Sequence, residues 1–156
     1  MGHSDAILMD ALFAGDRVAI ARAISAVENE REGVRDLLRQ VFTQTGRSYR
    51  VGITGPPGAG KSTITNRLAM KYRSQGLQVG IIAVDPTSPF TGGALLGDRV
   101  RMADVEMDQG VFIRSMASRG SLGGLSKKAM EAADVLDASG KDVVLMETVG
   151  VGQSEL

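Results

Sequence analysis

The sequence predicts an α/β domain with a parallel sheet, preceded by a helical N-terminal extension. Two apolar runs, 79–84 and 142–147, have the near-continuous hydrophobicity of parallel strands that helices cover on both faces. Amphipathic helical patterns separate these runs from each other and from a strand candidate at 50–54. Strands that alternate with helices are typical of right-handed crossovers in one parallel sheet. Residues 5–46, in contrast, show helical periodicity.

The extension is expected to form amphipathic helices. A short first helix should end at Gly15, and Asp16 is placed to cap the second. Two apolar stripes at helical spacing follow, at Ile20, Ala23, Ile24 and Val27, and at Val34, Leu37, Leu38, Val41 and Phe42. We expect the extension to span 1–48 and the α/β domain to span 49–156, with no catalytic signal in the extension.

The helices of the α/β domain are predicted from further stripes. These stripes are Ile64, Leu68 and Tyr72; Leu96, Val100, Ala103 and Met107; and Leu125, Ala129, Ala132, Ala133 and Leu136. A short strand is predicted at 111–113.

Composition excludes several classes of function. The 156 residues include 18 Lys+Arg and 18 Asp+Glu, so the formal net charge is +0 and an extended polyanion-binding surface is not indicated, although a local basic patch is compatible with this balance. The chain has no cysteine, which excludes disulfides and thiolate metal sites. Its apolar runs are shorter than the roughly 18 residues of a membrane helix, and its start lacks a signal-peptide pattern. We expect a cytoplasmic protein that binds neither nucleic acid nor membrane.

A phosphate-binding motif follows the first strand candidate. The residues there are Gly55, Pro56, Pro57, Gly58, Ala59, Gly60, Lys61, Ser62 and Thr63. The first eight fit G-x-x-x-x-G-K-[ST], and the strand before and helix after them are the required context. The glycines let backbone N–H groups turn toward a phosphate. Lys61 supplies a positive charge for the β- and γ-phosphates, and the Ser62 hydroxyl is a hard oxygen ligand for Mg²⁺.

Carboxylates follow the apolar strands. Asp85 and Glu147 end two of them, and parallel strands deliver their carboxyl ends to one edge of a sheet, so both are expected near Ser62 and Mg²⁺. Glu147 has the placement of a Walker-B acid. Asp98 lies in the glycine-rich segment 91–99, which suits a switch, and there it can reach metal or water. A strand-ending cap for Asp85 and a helix N-cap for Asp98 are the structural alternatives.

Two further loops are candidates for function. Gly150 and Gln153 follow the last strand in a glycine-rich stretch, where a backbone N–H could sense a γ-phosphate. Residues 118–124 open a helix and suit an anion site, a partner contact or a plain flexible connection.

The chain resembles the MeaB/ArgK/MMAA family of P-loop GTPases. The matching strings are LFAGDRVAIARAISAVENE, GITGPPGAGKST, AVDPTSPFTGGALLGDRVRM, FIRSMASRGSLGG and VVLMETVGVGQSE. The resemblance implies a SIMIBI-class G domain that binds GTP and GDP with Mg²⁺ and hydrolyses GTP. It also implies a chaperone that gates cobalamin delivery to methylmalonyl-CoA mutase or a related acyl-CoA mutase and protects that enzyme.

The resemblance also assigns roles to residues. Lys61, Asp85, Asp98 and Glu147 become the catalytic candidates, and the three acids with Ser62 become the Mg²⁺ candidates. Residues 150–153 belong to the second switch. The family's guanine-reading N-K-x-D segment and its C-terminal dimerisation arm do not occur in these 156 residues, so we expect a fragment with an unpaired sheet edge, and a homodimer at full length.

Other functions compete with a GTPase chaperone. A P-loop kinase or ATPase would need a substrate pocket and a base that positions the acceptor, and the sequence shows neither clearly. A metal-insertion GTPase would need histidine or cysteine ligands, and one histidine with no cysteine argues against it. A nucleotide-sensing interaction module would bind nucleotide without hydrolysing it.

Overall fold

The computed structural model describes residues 2–56, 58–85, 103–117 and 127–148, with the backbone alone at positions 85, 103 and 104. The helices in these ranges are α1 His3–Phe13, α2 Arg17–Glu28, α3 Val34–Phe42, α4 Lys61–Ser74, α5 Ala103–Glu106 and α6 Lys127–Ala138. The strands are β1 Tyr49–Ile53, β2 Val79–Asp85, β3 Val111–Ala117 and β4 Val143–Thr148. The predicted alternation of strands and helices is confirmed.

The four strands form one parallel sheet in the order β1-β4-β2-β3. β4 is central, and all six of its residues are buried, which is why its sequence is so continuously apolar. Ile53 of β1 and Ala83 of β2 lie on either side of Glu147. The carboxyl ends of β1, β2 and β4 therefore meet at one edge, as the sequence predicts.

The two faces of the sheet carry separate apolar clusters. On one face, Val144 and Met146 of β4 pack with Ile82 and Val84 of β2 against α6 and the N-terminal helices. On the other face, Val143 and Leu145 of β4 pack with Ala69 of α4. Side chains alternate between faces along a strand, so every second residue of β4 serves each cluster. Among the described helices, none is both long and apolar enough to cross a membrane.

The three N-terminal helices form an outer layer on α6. α1 packs on α2, while α2 and α3 both lie against α6. Gly15 has a φ of 85°, a left-handed conformation that suits the end of a helix, and Asp16 caps α2 by accepting a hydrogen bond from the Ala19 N–H at 2.8 Å. Ile20 and Ile24 are fully buried in the same cluster as the sheet residues. The extension and the sheet thus share one core.

Some predicted apolar positions face solvent. Phe42 and Ile64 are 72% and 50% exposed, because α3 buries Val41 and α4 buries Thr65 instead. Neighbouring residues on a helix point about 100° apart, so a shift of one position changes the buried face. Met107 is 85% exposed because α5 ends at Glu106. Leu96, Val100 and Leu125 lie outside the described residues.

A buried carboxylate holds the chain where it enters the sheet. Asp137 of α6 accepts hydrogen bonds from the backbone N–H groups of Gly46 (2.9 Å), Arg47 (3.2 Å) and Ser48 (3.2 Å). The Arg50 guanidinium of β1 also donates to Asp137, at 3.2 Å. This network fixes the start of β1, and β1 leads directly into the glycine-rich loop.

Candidate nucleotide site

The glycine-rich loop joins β1 to the first turn of α4. Gly58 and Gly60 have φ values of 81° and 86°, in the left-handed region that residues with a side chain rarely adopt. Gly60 is the N-cap of α4, and its carbonyl accepts the first helical hydrogen bond from Ile64 at 3.0 Å. A loop that ends at a helix N-terminus points backbone N–H groups toward the space before the helix. The left-handed glycines and the helix N-terminus are the two features that the predicted phosphate-binding loop requires.

Lys61 is folded into the loop. It is 8% exposed, and its Nζ donates to the carbonyls of Gly55 at 2.7 Å and Pro56 at 2.8 Å. The ammonium therefore lies over the loop backbone. These two carbonyl contacts satisfy part of its hydrogen-bonding capacity without neutralising its charge.

Ser62 and Glu147 are in direct contact. The Ser62 hydroxyl donates to Oε1 of Glu147 at 2.7 Å, and the two residues are 5% and 1% exposed. The contact forms because β1 and β4 are neighbours: Glu147 lies opposite Ile53, and the loop returns the chain to that strand end. A hydroxyl and a carboxylate together are hard oxygen donors, which is the ligand chemistry of Mg²⁺. The donor set fits that metal.

The first turn of α4 contains another buried polar residue. Thr65 is fully buried, and its hydroxyl donates to the Lys61 carbonyl at 2.8 Å. The sequence analysis did not single out Thr65, because the predicted apolar stripe placed Ile64 on the buried face instead. Thr63, a predicted nucleotide contact, is exposed on the same turn.

The structure brings together part of the predicted site. Gly55, Pro56, Gly58, Ala59 and Gly60 form the loop, and Lys61, Ser62 and Glu147 converge on it. Asp85 ends β2 at the same edge, with its backbone next to Ala117 of β3. The Asp85 side chain lies outside the described part of the structure, as do Pro57, Asp98, Gly150, Gln153 and the loop 118–124. Among the described side chains, no group of three His, Cys, Asp or Glu residues is close enough to hold a metal ion.

Comparison with known proteins decides the family. The sequence profile of methylmalonyl Co-A mutase-associated GTPase MeaB matches residues 20–156. The chain belongs to the MeaB family. The resemblance read from the motifs is thereby confirmed, and so is the P-loop fold class.

Individual relatives are compatible with this assignment. A Pyrococcus abyssi protein named as a GTPase is 59% identical over 149 residues, which cover 96% of this chain and 46% of that protein. The GTPase ArgK of Escherichia coli is 45% identical over 145 residues, or 90% of this chain and 44% of ArgK. The crystal structure of an LAO/AO transport system kinase superposes with a TM-score of 0.72 at 33% identity, covering 99% of this chain and 46% of that one. The chain thus spans less than half the length of these relatives.

Proposed function

We propose that this MeaB-family chain is the nucleotide-binding part of a GTPase. The observation that carries the proposal is the contact between Ser62 and Glu147, because it joins the end of the phosphate loop to an acid on the neighbouring parallel strand. That arrangement is suited to binding a nucleoside triphosphate together with Mg²⁺. The assignment of guanine as the nucleotide base rests on family membership alone.

Each residue of the site has a proposed task. The N–H groups of the loop donate hydrogen bonds to the β-phosphate. On nucleotide binding, the Lys61 Nζ leaves the loop carbonyls and donates to the β- and γ-phosphate oxygens instead. Ser62 and Glu147 hold Mg²⁺, directly or through water. Mg²⁺, when bound, neutralises charge that develops on the phosphates. Glu147 is nearly inaccessible to solvent and accepts a hydrogen bond from Ser62 before nucleotide binds.

The remaining predicted acids are assigned by the same logic. Asp85 is the last residue of β2, at the edge where the loop lies, and we assign it to the Mg²⁺ shell or to the attacking water. Asp98 is assigned to the same shell, with the helix N-cap as its structural alternative. Gly150 and Gln153 are assigned to the switch that senses the γ-phosphate.

Single-turnover hydrolysis by a full-length parent protein, rather than by this chain alone, tests the enzymatic proposal. Phosphoryl transfer depends on positioning and charge, so Asp85→Asn and Glu147→Gln should lower GTP turnover at least about tenfold, or about 1.4 kcal/mol of transition-state stabilisation, with a much smaller change in affinity. If Asp98 contacts the metal shell, Asp98→Asn should also lower GTP turnover at least about tenfold. If Asp98 is a helix N-cap, the variant should instead lower the melting temperature and leave turnover normal. Normal turnover in all three variants would refute the site.

The label on the γ-phosphate separates the competing activities. With γ-labelled GTP, a GTPase releases the label as inorganic phosphate, whereas a kinase transfers it to an acceptor. A nucleotide-sensing module would retain GTP for longer than any measured hydrolysis half-time. We expect inorganic phosphate, since no feature of the described residues favours a kinase.

For the cellular role, we propose that the whole protein gates cobalamin loading of methylmalonyl-CoA mutase or a related acyl-CoA mutase, as a homodimer. The support is the family's association with that mutase. The proposal is tested by following the cobalamin spectrum during transfer to the mutase with GTP, with GDP and with a Lys61→Ala variant. Transfer that is equally fast in all three cases would contradict gating.

A further inference from the structure

A cavity lies away from the glycine-rich loop, and we call it the second cavity to distinguish it from the nucleotide site. It has a volume of about 560 Å³ and is formed by α2, by the segment that follows α2, and by β3. Its polar side chains are Arg17, Arg22, Ser25 and Arg31, and Phe112 forms part of its wall. Phe112 is near the amino end of its strand, whereas the loop is at the carboxyl ends, so the two sites occupy different edges of the sheet.

Arg17 is held in a fixed orientation at this cavity. Its Nη1 donates to the carbonyls of Val111 at 2.8 Å and Gln109 at 3.4 Å, and its guanidinium carbon is 5.5 Å from the centre of the Phe112 ring. A guanidinium has five N–H donors, so several donors of Arg17 are directed away from these two carbonyls. A side chain that is already ordered loses less entropy when a ligand binds it.

The other polar side chains of the cavity are donors as well. Within the described residues, neither Arg22 nor Arg31 makes an ion pair, whereas Arg114 beside the cavity pairs with Glu28 at 2.7 Å. The Ser25 Oγ accepts a hydrogen bond from Arg114 at 2.9 Å, which directs its own proton away from that contact. No described carboxylate lines this cavity, although Asp5, Glu32 and Asp36 line the adjoining cavity that shares Arg22 and Arg31 with it. The lining therefore offers three positive charges and a hydroxyl donor in a chain whose net charge is +0.

The pKa of a nearby lysine, Lys141, is lowered in part by the same positive charge. Lys141 is 5% exposed, and burial lowers its pKa. The positive charges of Arg17 and Arg73 lower that pKa further, and the carboxylate of Asp142 opposes them in part. An anion bound at Arg17 would relieve this repulsion.

We propose that this cavity binds a small phosphorylated molecule. The fork of an arginine matches the oxygens of a phosphate, and several forks suit a multiply charged ligand. The volume is within the range of about 300–1,000 Å³ that is usual for small-molecule sites. Phe112 and the apolar part of α2 would contact the organic portion of the ligand. The proposal does not depend on the function of the glycine-rich loop.

Titration with inorganic pyrophosphate tests the proposal. The titrations use a Lys61→Ala background, which weakens binding at the loop, and follow the arginine Nε–Hε resonances together with heats of binding. We expect saturable binding that shifts Arg17, Arg22 and Arg31, and an affinity at least about tenfold lower in the Arg22→Ala/Arg31→Ala variant. The matched control is Arg35→Ala/Arg39→Ala, which removes two exposed arginines from α3 and should leave the affinity unchanged.

Other results would overturn the proposal. No binding of pyrophosphate below about 10 mM, or an equal loss of affinity in the two double variants, would show that the cavity is not a phosphate site. Tighter binding of a polyglutamate peptide than of pyrophosphate, lost on changing Arg22 and Arg31, would assign the face to an acidic protein segment instead. Should the alanine variant unfold, Arg22→Lys/Arg31→Lys keeps the charge but loses the forks, and it should still weaken binding.

Discussion

At the scale of single residues, the site depends on one buried contact. Glu147 is 1% exposed at the end of the central strand, and a carboxylate so deeply buried needs a hydrogen-bond donor. The Ser62 hydroxyl is such a donor, at 2.7 Å. The same two groups are the proposed Mg²⁺ ligands, so the site is partly ordered before nucleotide binds.

Replacing Ser62 by alanine should separate metal-dependent from metal-independent binding. Ser62→Ala removes one oxygen ligand, so GTP with Mg²⁺ should bind at least about tenfold more weakly, while GDP without metal should change much less. The variant also takes a donor from buried Glu147, which should cost about 1–3 kcal/mol of stability. Calorimetry with both nucleotides and thermal unfolding are the measurements; equal weakening of both nucleotides would give Ser62 another role.

At the scale of elements, α6 joins the sheet to the outer helices. It crosses β2 closely at Gly80, where an added Cβ would lie 2.8 Å from Cδ1 and 3.3 Å from Cγ of Leu136. Leu136 is fully buried, so it has little room to move. The absence of a side chain at Gly80 is what permits this approach.

Gly80→Ala should therefore destabilise the fold. Overpacking of a filled core costs about 1–3 kcal/mol. The double variant Gly80→Ala/Leu136→Val should recover part of the loss, since the shorter side chain makes room. Urea unfolding of the single and double variants measures both effects. A Gly80→Ala variant as stable as the parent would show that α6 shifts freely on the sheet.

Asp137 makes the packing of α6 dependent on pH. Burial raises the pKa of this carboxyl, but the hydrogen bonds from the Gly46 N–H, the Arg50 guanidinium and the Arg47 N–H outweigh that effect, and the net pKa is below the ordinary value. A carboxyl whose pKa is lowered by folding stabilises the fold above its unfolded pKa of about 3.9. That stabilisation is lost as the pH falls through the folded pKa.

Asp137→Asn should lower stability by about 2 kcal/mol at neutral pH, because hydrogen bonds to a charged acceptor are lost. The variant should also lose less stability than the parent below about pH 4. The matched control is Asp134→Asn, whose carboxylate is 28% exposed and, within the described part of the chain, pairs with Arg50, and which should cost less than about 1 kcal/mol. Urea unfolding at several pH values measures this. Parallel pH profiles for the parent and Asp137→Asn would contradict the account.

The fold was predictable where the pattern was local. The continuous apolar run of β4 and the glycine string ending in Lys61 and Ser62 indicate a buried strand and a phosphate loop without any long-range information. The sheet order could not be predicted in this way, and it is the order that puts Glu147 next to Ser62. The arginines of the second cavity also come from separated positions, so no spacing in the sequence marks them.

At the scale of the whole molecule, the extension and the sheet form one packed body in the described residues. Leu12, Ile20 and Ile24 of the outer helices share a cluster with Val144 and the rest of that sheet face. Removing the extension would expose α6 and its apolar side. The N-terminal helices are therefore part of the scaffold that positions the loop, and they also form most of the second cavity.

The affinity of the chain for GTP with Mg²⁺, compared between the parent and Lys61→Ala by calorimetry, tests the central claim most directly. The Lys61 Nζ donates to the loop carbonyls of Gly55 and Pro56, so we expect its loss to leave the fold largely intact and the melting temperature nearly unchanged. Its charge serves the phosphates, so the variant should bind at least about a hundredfold more weakly, since charge-assisted contacts in such a loop contribute about 1.5–3 kcal/mol each. Equal affinity in the two proteins would contradict the assignment of the glycine-rich loop as a nucleotide site.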